Sequence, residues 1–108
     1  MIVVANRIPV AEGHEEAFVE RFKTRAGEVE RQPGFMRLEV LKPLQSDYHV
    51  VLTWWQDEAS FKAWTESPAF AQAHARRPKP EMFAGPNQFE MHEIVILQEP
   101  SPSREVSQ

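Results

Sequence analysis

Four short runs of branched and aromatic residues, separated by two stretches with the apolar spacing of a helix face, predict an α+β protein of order β-α-β-β-α-β. A chain of 108 residues fits a single domain, and no internal repeat divides it. Residues 1–97 are read as that domain. Residues 98–108 are polar, broken by Pro100 and Pro102, and read as a flexible tail.

The first strand runs over Ile2–Val10 and ends near Pro9. One of its faces carries Ile2, Val4, Asn6 and Ile8, so Asn6 is a polar group on an otherwise apolar face. A helix is predicted over 15–31, where Phe18, Phe22, Ala26 and Val29 recur every three or four residues. Arg21 and Arg25, four apart, flank that stripe. Gln32-Pro33-Gly34 stops the helix and turns the chain. The second strand is 35–41 and the third is 48–55, joined as an antiparallel hairpin through a loop longer than two residues.

Asp57 caps a second helix reaching about Glu66. Ser67-Pro68 then restarts it, because serine caps and proline suits a first helical turn. The restarted helix extends to about Arg77, where Pro78 and Pro80 end it. A loop containing Pro86 leads to the last strand, Gln88–Leu97. This order, with its broken second helix, is the ferredoxin-like split βαβ pattern. The helices cover one sheet face. Trp54 and Trp55 point opposite ways, as do Val95 and Ile96 on the last strand. A second apolar face in so short a chain calls for a partner, most simply an identical subunit.

Composition excludes several functions. Apolar residues make up 42% and charged residues 26%, which is a folded protein's balance. The absence of cysteine removes disulfides, thiolate-ligated haem, cysteine-bound iron–sulfur or zinc sites and a cysteine nucleophile. A net charge of −4 gives no globally basic surface for nucleic acid or anionic membrane. No apolar run approaches the roughly 20 residues that cross a bilayer. The opening Met1-Ile2-Val3-Val4 reads as a strand rather than a signal peptide, so the expected address is the cytoplasm. Glycine-rich phosphate loops, nucleophile elbows and zinc-helix histidine pairs are missing.

Three residues stand out. His74 lies one turn after Phe70, on the same helix face and beside an open loop. It reads either as a helix-end histidine interacting with the dipole or as a ligand for a metal or a haem iron. Trp64 follows Phe61 at core spacing and reads first as packing. In one unbroken helix Trp64 and His74 would point about 80° apart. The Ser67-Pro68 restart changes that angle, so both can face one cavity. Asn6 must satisfy its amide, either with neighbouring groups or with a ligand in a pocket. His14 sits in a polar turn, and His49 and His92 are isolated on strands. Arg76, Arg77 and Lys79 form a basic cluster, read as a solvated helix end or as a contact for ligand carboxylates or phosphates.

Taken together, Ala5-Asn6-Arg7, Glu20 to Gly27, Gln32-Pro33-Gly34-Phe35 and Trp54-Trp55 through Phe61 and Trp64 to His74 resemble a known family. The chain is similar, from about Ile2 to Leu97, to the haem-degrading monooxygenases of the antibiotic biosynthesis monooxygenase superfamily, the group of the staphylococcal and mycobacterial haem oxygenases. Asn6, Trp64 and His74 fall where that subset carries an Asn, Trp and His triad, with the ten-residue Trp-to-His spacing kept.

The resemblance implies a homodimer whose two sheets close a dimeric α+β barrel, with a haem pocket in each subunit between helices and sheet. It implies His74 as axial ligand of the haem iron, Asn6 as a hydrogen-bond donor at the site of dioxygen chemistry and Trp64 as a residue that presses the porphyrin out of plane. Phe22 would line the pocket, and Arg21 or Arg25 would meet a propionate. Haem would be both cofactor and substrate, O2 the oxidant and an external reductant or reductase the electron source. The loop from Pro78 to Asn87 would close over the haem edge. Lys23, between Phe22 and Arg25, departs from the family's pattern, as does the proline content of the loop after His74. Three other readings remain. One is a cofactor-independent monooxygenase of quinols or aromatic polyketides. The others are a haem-binding protein that leaves the ring intact and a dimeric interaction module.

Overall fold

A computed structural model describes residues 1–24, 27–75 and 77–101. It contains β1 (Ile2–Ile8), α1 (Glu15–Lys23), β2 (Phe35–Leu41), β3 (His49–Trp55), α2 (Glu58–Thr65), α3 (Pro68–Ala73) and β4 (Gln88–Glu93). The four strands form one antiparallel sheet of order β2-β3-β1-β4. The expected βαββαβ order, with the second helix broken, is therefore the observed one.

The break is made by the sequence as anticipated. The Asp57 carboxylate accepts from the Ser60 backbone N–H at 2.8 Å and opens α2. Ser67 Oγ donates to the Trp64 carbonyl at 2.7 Å and accepts from the Phe70 N–H at 3.1 Å, closing one helix and starting the next. Pro68 occupies the first turn of α3, where its missing N–H costs nothing. Gly34 has φ +83, and a side chain there would run into Ser60 on α2. Glycine therefore lets the turn into β2 sit tightly against that helix.

Register fixes the two faces. Ile2, Val4, Asn6 and Ile8 of β1 oppose Trp55, Thr53, Val51 and His49 of β3, and all face the helices. Two apolar clusters form there. Ile2 and Val4 of β1, Trp55 of β3 and Trp64 of α2 form one, with Phe70 and Ala73 packed against it, whereas Ile8 of β1, Phe18 of α1 and Met82 form the other. Along β1, Asn6 separates them. The helical layer thus covers the two ends of the sheet and leaves its middle open.

Four expectations need correction. The first helix ends at Lys23, where Thr24 Oγ1 donates back to the Glu20 carbonyl at 3.1 Å. A separate 3₁₀ turn covers Val29–Arg31. The restarted helix stops at Ala73, and His74 is its C-cap residue. The last strand ends at Glu93 instead of Leu97, because its partner β1 runs out: Ile2 opposes Glu93, and the Ile94 N–H reaches one step further, to the Met1 carbonyl at 3.0 Å. Val95 and Ile96 consequently lie beyond the sheet, 82% and 75% exposed. Finally, the loop after α3 is not a cover for the open middle. Its residues 82–84 are tied to the end of β1 by Ala11 N–H to the Met82 carbonyl and Ala84 N–H to the Pro9 carbonyl, both 2.7 Å.

The outer sheet face is mixed. Val3 and Ala5 on β1 and Leu52 and Trp54 on β3 form its apolar middle. Around them Arg7 pairs with Glu90 at 3.3 Å, and Glu39 accepts from Trp54 Nε1 at 2.9 Å. Among the described residues, no helix is long and apolar enough to cross a membrane.

Candidate active site

The open middle of the sheet is a cavity of about 850 Å³. Val4, Asn6, Val51 and Thr53 make its floor, and its walls are largely aromatic, including Phe22, Phe35, Phe61 and Trp64. Asn6, Trp64 and His74 all line it. The sequence-based expectation that the helix break turns Trp64 and His74 towards one space agrees with this geometry.

Phe70 is the element that joins them. Its ring meets Trp64 edge-on at 5.4 Å between centroids and stacks on the His74 imidazole at 4.1 Å. The Phe70 carbonyl also lies 2.8 Å from His74 Nδ1. A carbonyl only accepts, so this hydrogen bond puts the proton on Nδ1 and leaves the lone pair on Nε2. Among the described residues Nε2 has no hydrogen-bond partner. An imidazole held through one nitrogen and open at the other is the arrangement of a metal-ligating histidine. Sequence reasoning had Phe70 as a companion on the same helix face and missed this role of its backbone.

Asn6 is held from the other side of the cavity. Its Oδ1 accepts from Asn87 Nδ2 at 2.8 Å. Asn87 stands just before β4, and nothing in its local sequence singled it out. Only the β1–β4 register, with Asn6 opposite Phe89, brings it diagonally across from Asn6.

Phe22 lines the cavity as expected. Arg21 is not among the lining residues, and Arg25 and Arg76 lie outside the described ones. None of the described residues between Pro78 and Asn87 lines the cavity either. Among the described residues, its charged lining residues are Glu30 and Arg37. The Arg37 guanidinium is turned to the outer sheet face, 4.6 Å from the Trp54 ring centre and 3.5 Å from Glu39. The walls are thus apolar and aromatic with a few polar groups, which suits a flat, largely apolar ligand.

The fold and this site define a small α+β domain built around an aromatic-walled ligand cavity. The sequence profile described as antibiotic biosynthesis monooxygenase matches residues 1–76, and the chain belongs to that family. A haem-degrading monooxygenase of Shouchella clausii is 36% identical over 104 residues, covering 93% of this chain and 95% of that protein. A staphylobilin-producing haem oxygenase of Staphylococcus haemolyticus is 40% identical over 89 residues, covering 80% and 85% of the two chains. Among solved structures, the haem-degrader MhuD of Mycobacterium tuberculosis, with two haems bound in its active site, superposes with a TM-score of 0.78 at 31% identity. That superposition covers 92% of this chain and all (100%) of MhuD.

Proposed function

We propose that the chain is a haem-degrading monooxygenase that opens the porphyrin ring with O2 and electrons from an external reductant, releasing iron. The observation that carries this reading is the convergence of Asn6, Trp64 and His74 on one aromatic cavity, with His74 fixed so that Nε2 is available. Haem-degrading relatives that align over nearly the whole chain support it.

Haem fits these residues as substrate. It brings the iron at which dioxygen is activated and the ring that is oxidised. The chain's own contributions are separable. His74 would bind iron through Nε2, its ring orientation held by the Nδ1 hydrogen bond to the Phe70 carbonyl. Trp64, buried and braced by Phe70, would present a rigid indole wall to the bound porphyrin. Asn6 supplies an amide N–H where the reacting oxygen is handled. Phe22 and the other aromatic walls exclude water from the ring.

The proposal includes a homodimer. The apolar strip of the outer sheet face and the exposed segment 94–97 beyond β4 are what a second copy would cover. It also includes a cytoplasmic address, the compartment whose reducing poise can supply electrons.

The test is aerobic turnover of bound haemin with ascorbate in the presence of catalase, with released iron trapped by a ferrous chelator. Loss of the Soret band with about one iron released per haem supports degradation. A stable Soret band through this treatment rejects the enzyme in favour of a haem carrier.

A further inference from the structure

We propose that Asn87 is a positioning residue that sets which end of the Asn6 amide faces the cavity. The inference rests on the haem-degrading reading above, since it assigns the donor that reading needs.

A primary amide has two unlike ends, one that only accepts and one that only donates. Asn6 lies on the sheet floor, where it lines the cavity between two apolar clusters. Among the described residues its one side-chain hydrogen bond is the 2.8 Å contact from Asn87 Nδ2 to its Oδ1. That bond occupies the accepting end. The donating end, Nδ2, is left to the cavity. The pair has a second self-consistent arrangement, with both amides reversed, in which Asn6 donates to Asn87 and shows its carbonyl oxygen to the cavity. The first arrangement offers a donor to a reacting oxygen, and the second would repel it.

The Asn87 backbone is held on both sides. It follows Pro86, whose ring fixes the backbone just ahead of it. Residues 82–84 are tied to residues 9–11 by two 2.7 Å backbone hydrogen bonds. On the other side β4 begins its ladder at Gln88, opposite Arg7. The loop that sequence reasoning took for a lid therefore serves to anchor Asn87 beside Asn6.

Two near-isosteric substitutions test this. In Asn87→Asp the introduced carboxylate only accepts, so Asn6 must donate to it and turn Oδ1 towards the cavity. In Asn87→Leu the amide is freed and samples both arrangements. Haemin affinity by Soret titration should stay within about twofold of wild type in both, because ligation rests on His74. Turnover should fall by about 100-fold in Asn87→Asp, matching Asn6→Ala, and by several-fold in Asn87→Leu. In the haem-free protein, the side-chain amide protons of Asn6, assigned by nitrogen-15 NMR, should shift in Asn87→Asp as they become hydrogen-bonded. That readout needs neither haem nor activity. If wild type fails to degrade haem, the functional reading fails while the NMR result still judges the amide orientation. Wild-type turnover in Asn87→Asp beside an inactive Asn6→Ala would overturn the proposal. So would a parallel loss of haemin affinity, or an unchanged Asn6 amide signal.

Discussion

Phe70 holds His74 twice: its ring stacks on the imidazole at 4.1 Å between centroids, and its carbonyl oxygen lies 2.8 Å from Nδ1. The backbone contact fixes the proton and the ring contact fixes the plane. Phe70→Leu keeps the first and removes the second. An aromatic pair is worth about 0.5–1.5 kcal/mol beyond its buried area. Haemin affinity should therefore weaken by roughly two- to tenfold without loss of the His74-bound spectrum, as read by Soret titration.

Trp64 carries two burdens. It is 6% exposed and belongs to the same cluster as Ile2, Val4 and Trp55, yet it also lines the cavity. Trp64→Ala should cost about 3–5 kcal/mol of stability by urea unfolding, mostly from the void it leaves. Trp64→Phe fills much of that void. It should fold near-normally, bind haemin and turn it over more slowly, because a smaller ring makes a less complete cavity wall.

How far the sequence disclosed this arrangement varies by residue. Asp57, Ser67 and Pro68 act locally, through bonds within three residues, so the broken helix was legible from spacing and capping alone. Asn6, Trp64 and His74 were legible as a set only by resemblance, since each taken singly has an ordinary structural reading. The end of β4 was not legible. Ile94 to Leu97 looks like a strand, and what stops it is the shortness of β1, which is not written in those residues. Asn87 was invisible for the same reason: its role depends on register with a residue 81 positions away.

His49 gives the fold a pH dependence. It is 2% exposed, packs edge-on to Phe18 at 5.2 Å, and its Nε2 lacks a partner among the described residues. Burial pushes its pKa below the ordinary 6.5, only partly opposed by the Glu15 charge, with Lys42 lowering it further. The native state therefore binds fewer protons than the unfolded state once pH falls below about 6.5. Stability is full above that value and declines from there down through the lowered native pKa. Urea midpoints for wild type should fall between pH 7 and 5, and His49→Leu should flatten that decline. Equal slopes in the two proteins would assign the effect elsewhere.

Gly34 is a point of steric economy between the β2 turn and α2. Its φ of +83 disfavours any side chain, and a Cβ would also collide with Ser60. Gly34→Ala should destabilise by about 2 kcal/mol or more, combining left-handed backbone strain with displacement of the α2 N-terminus. Thermal unfolding measures the loss directly. An unchanged Tm would mean the turn relaxes without moving the helix that carries Trp64.

The proposed function requires His74 to bind haem iron through Nε2 and the bound haem then to be consumed. The most direct measurement is a haemin titration of wild type and His74→Ala, followed by ascorbate in air with catalase present. A saturable Soret shift is expected in wild type and lost in His74→Ala, followed by bleaching of the wild-type band as a new chromophore grows. A wild-type shift that survives His74→Ala unchanged would contradict the ligand assignment. The absence of any saturable shift would contradict haem as the substrate and turn the search to quinols and aromatic polyketides.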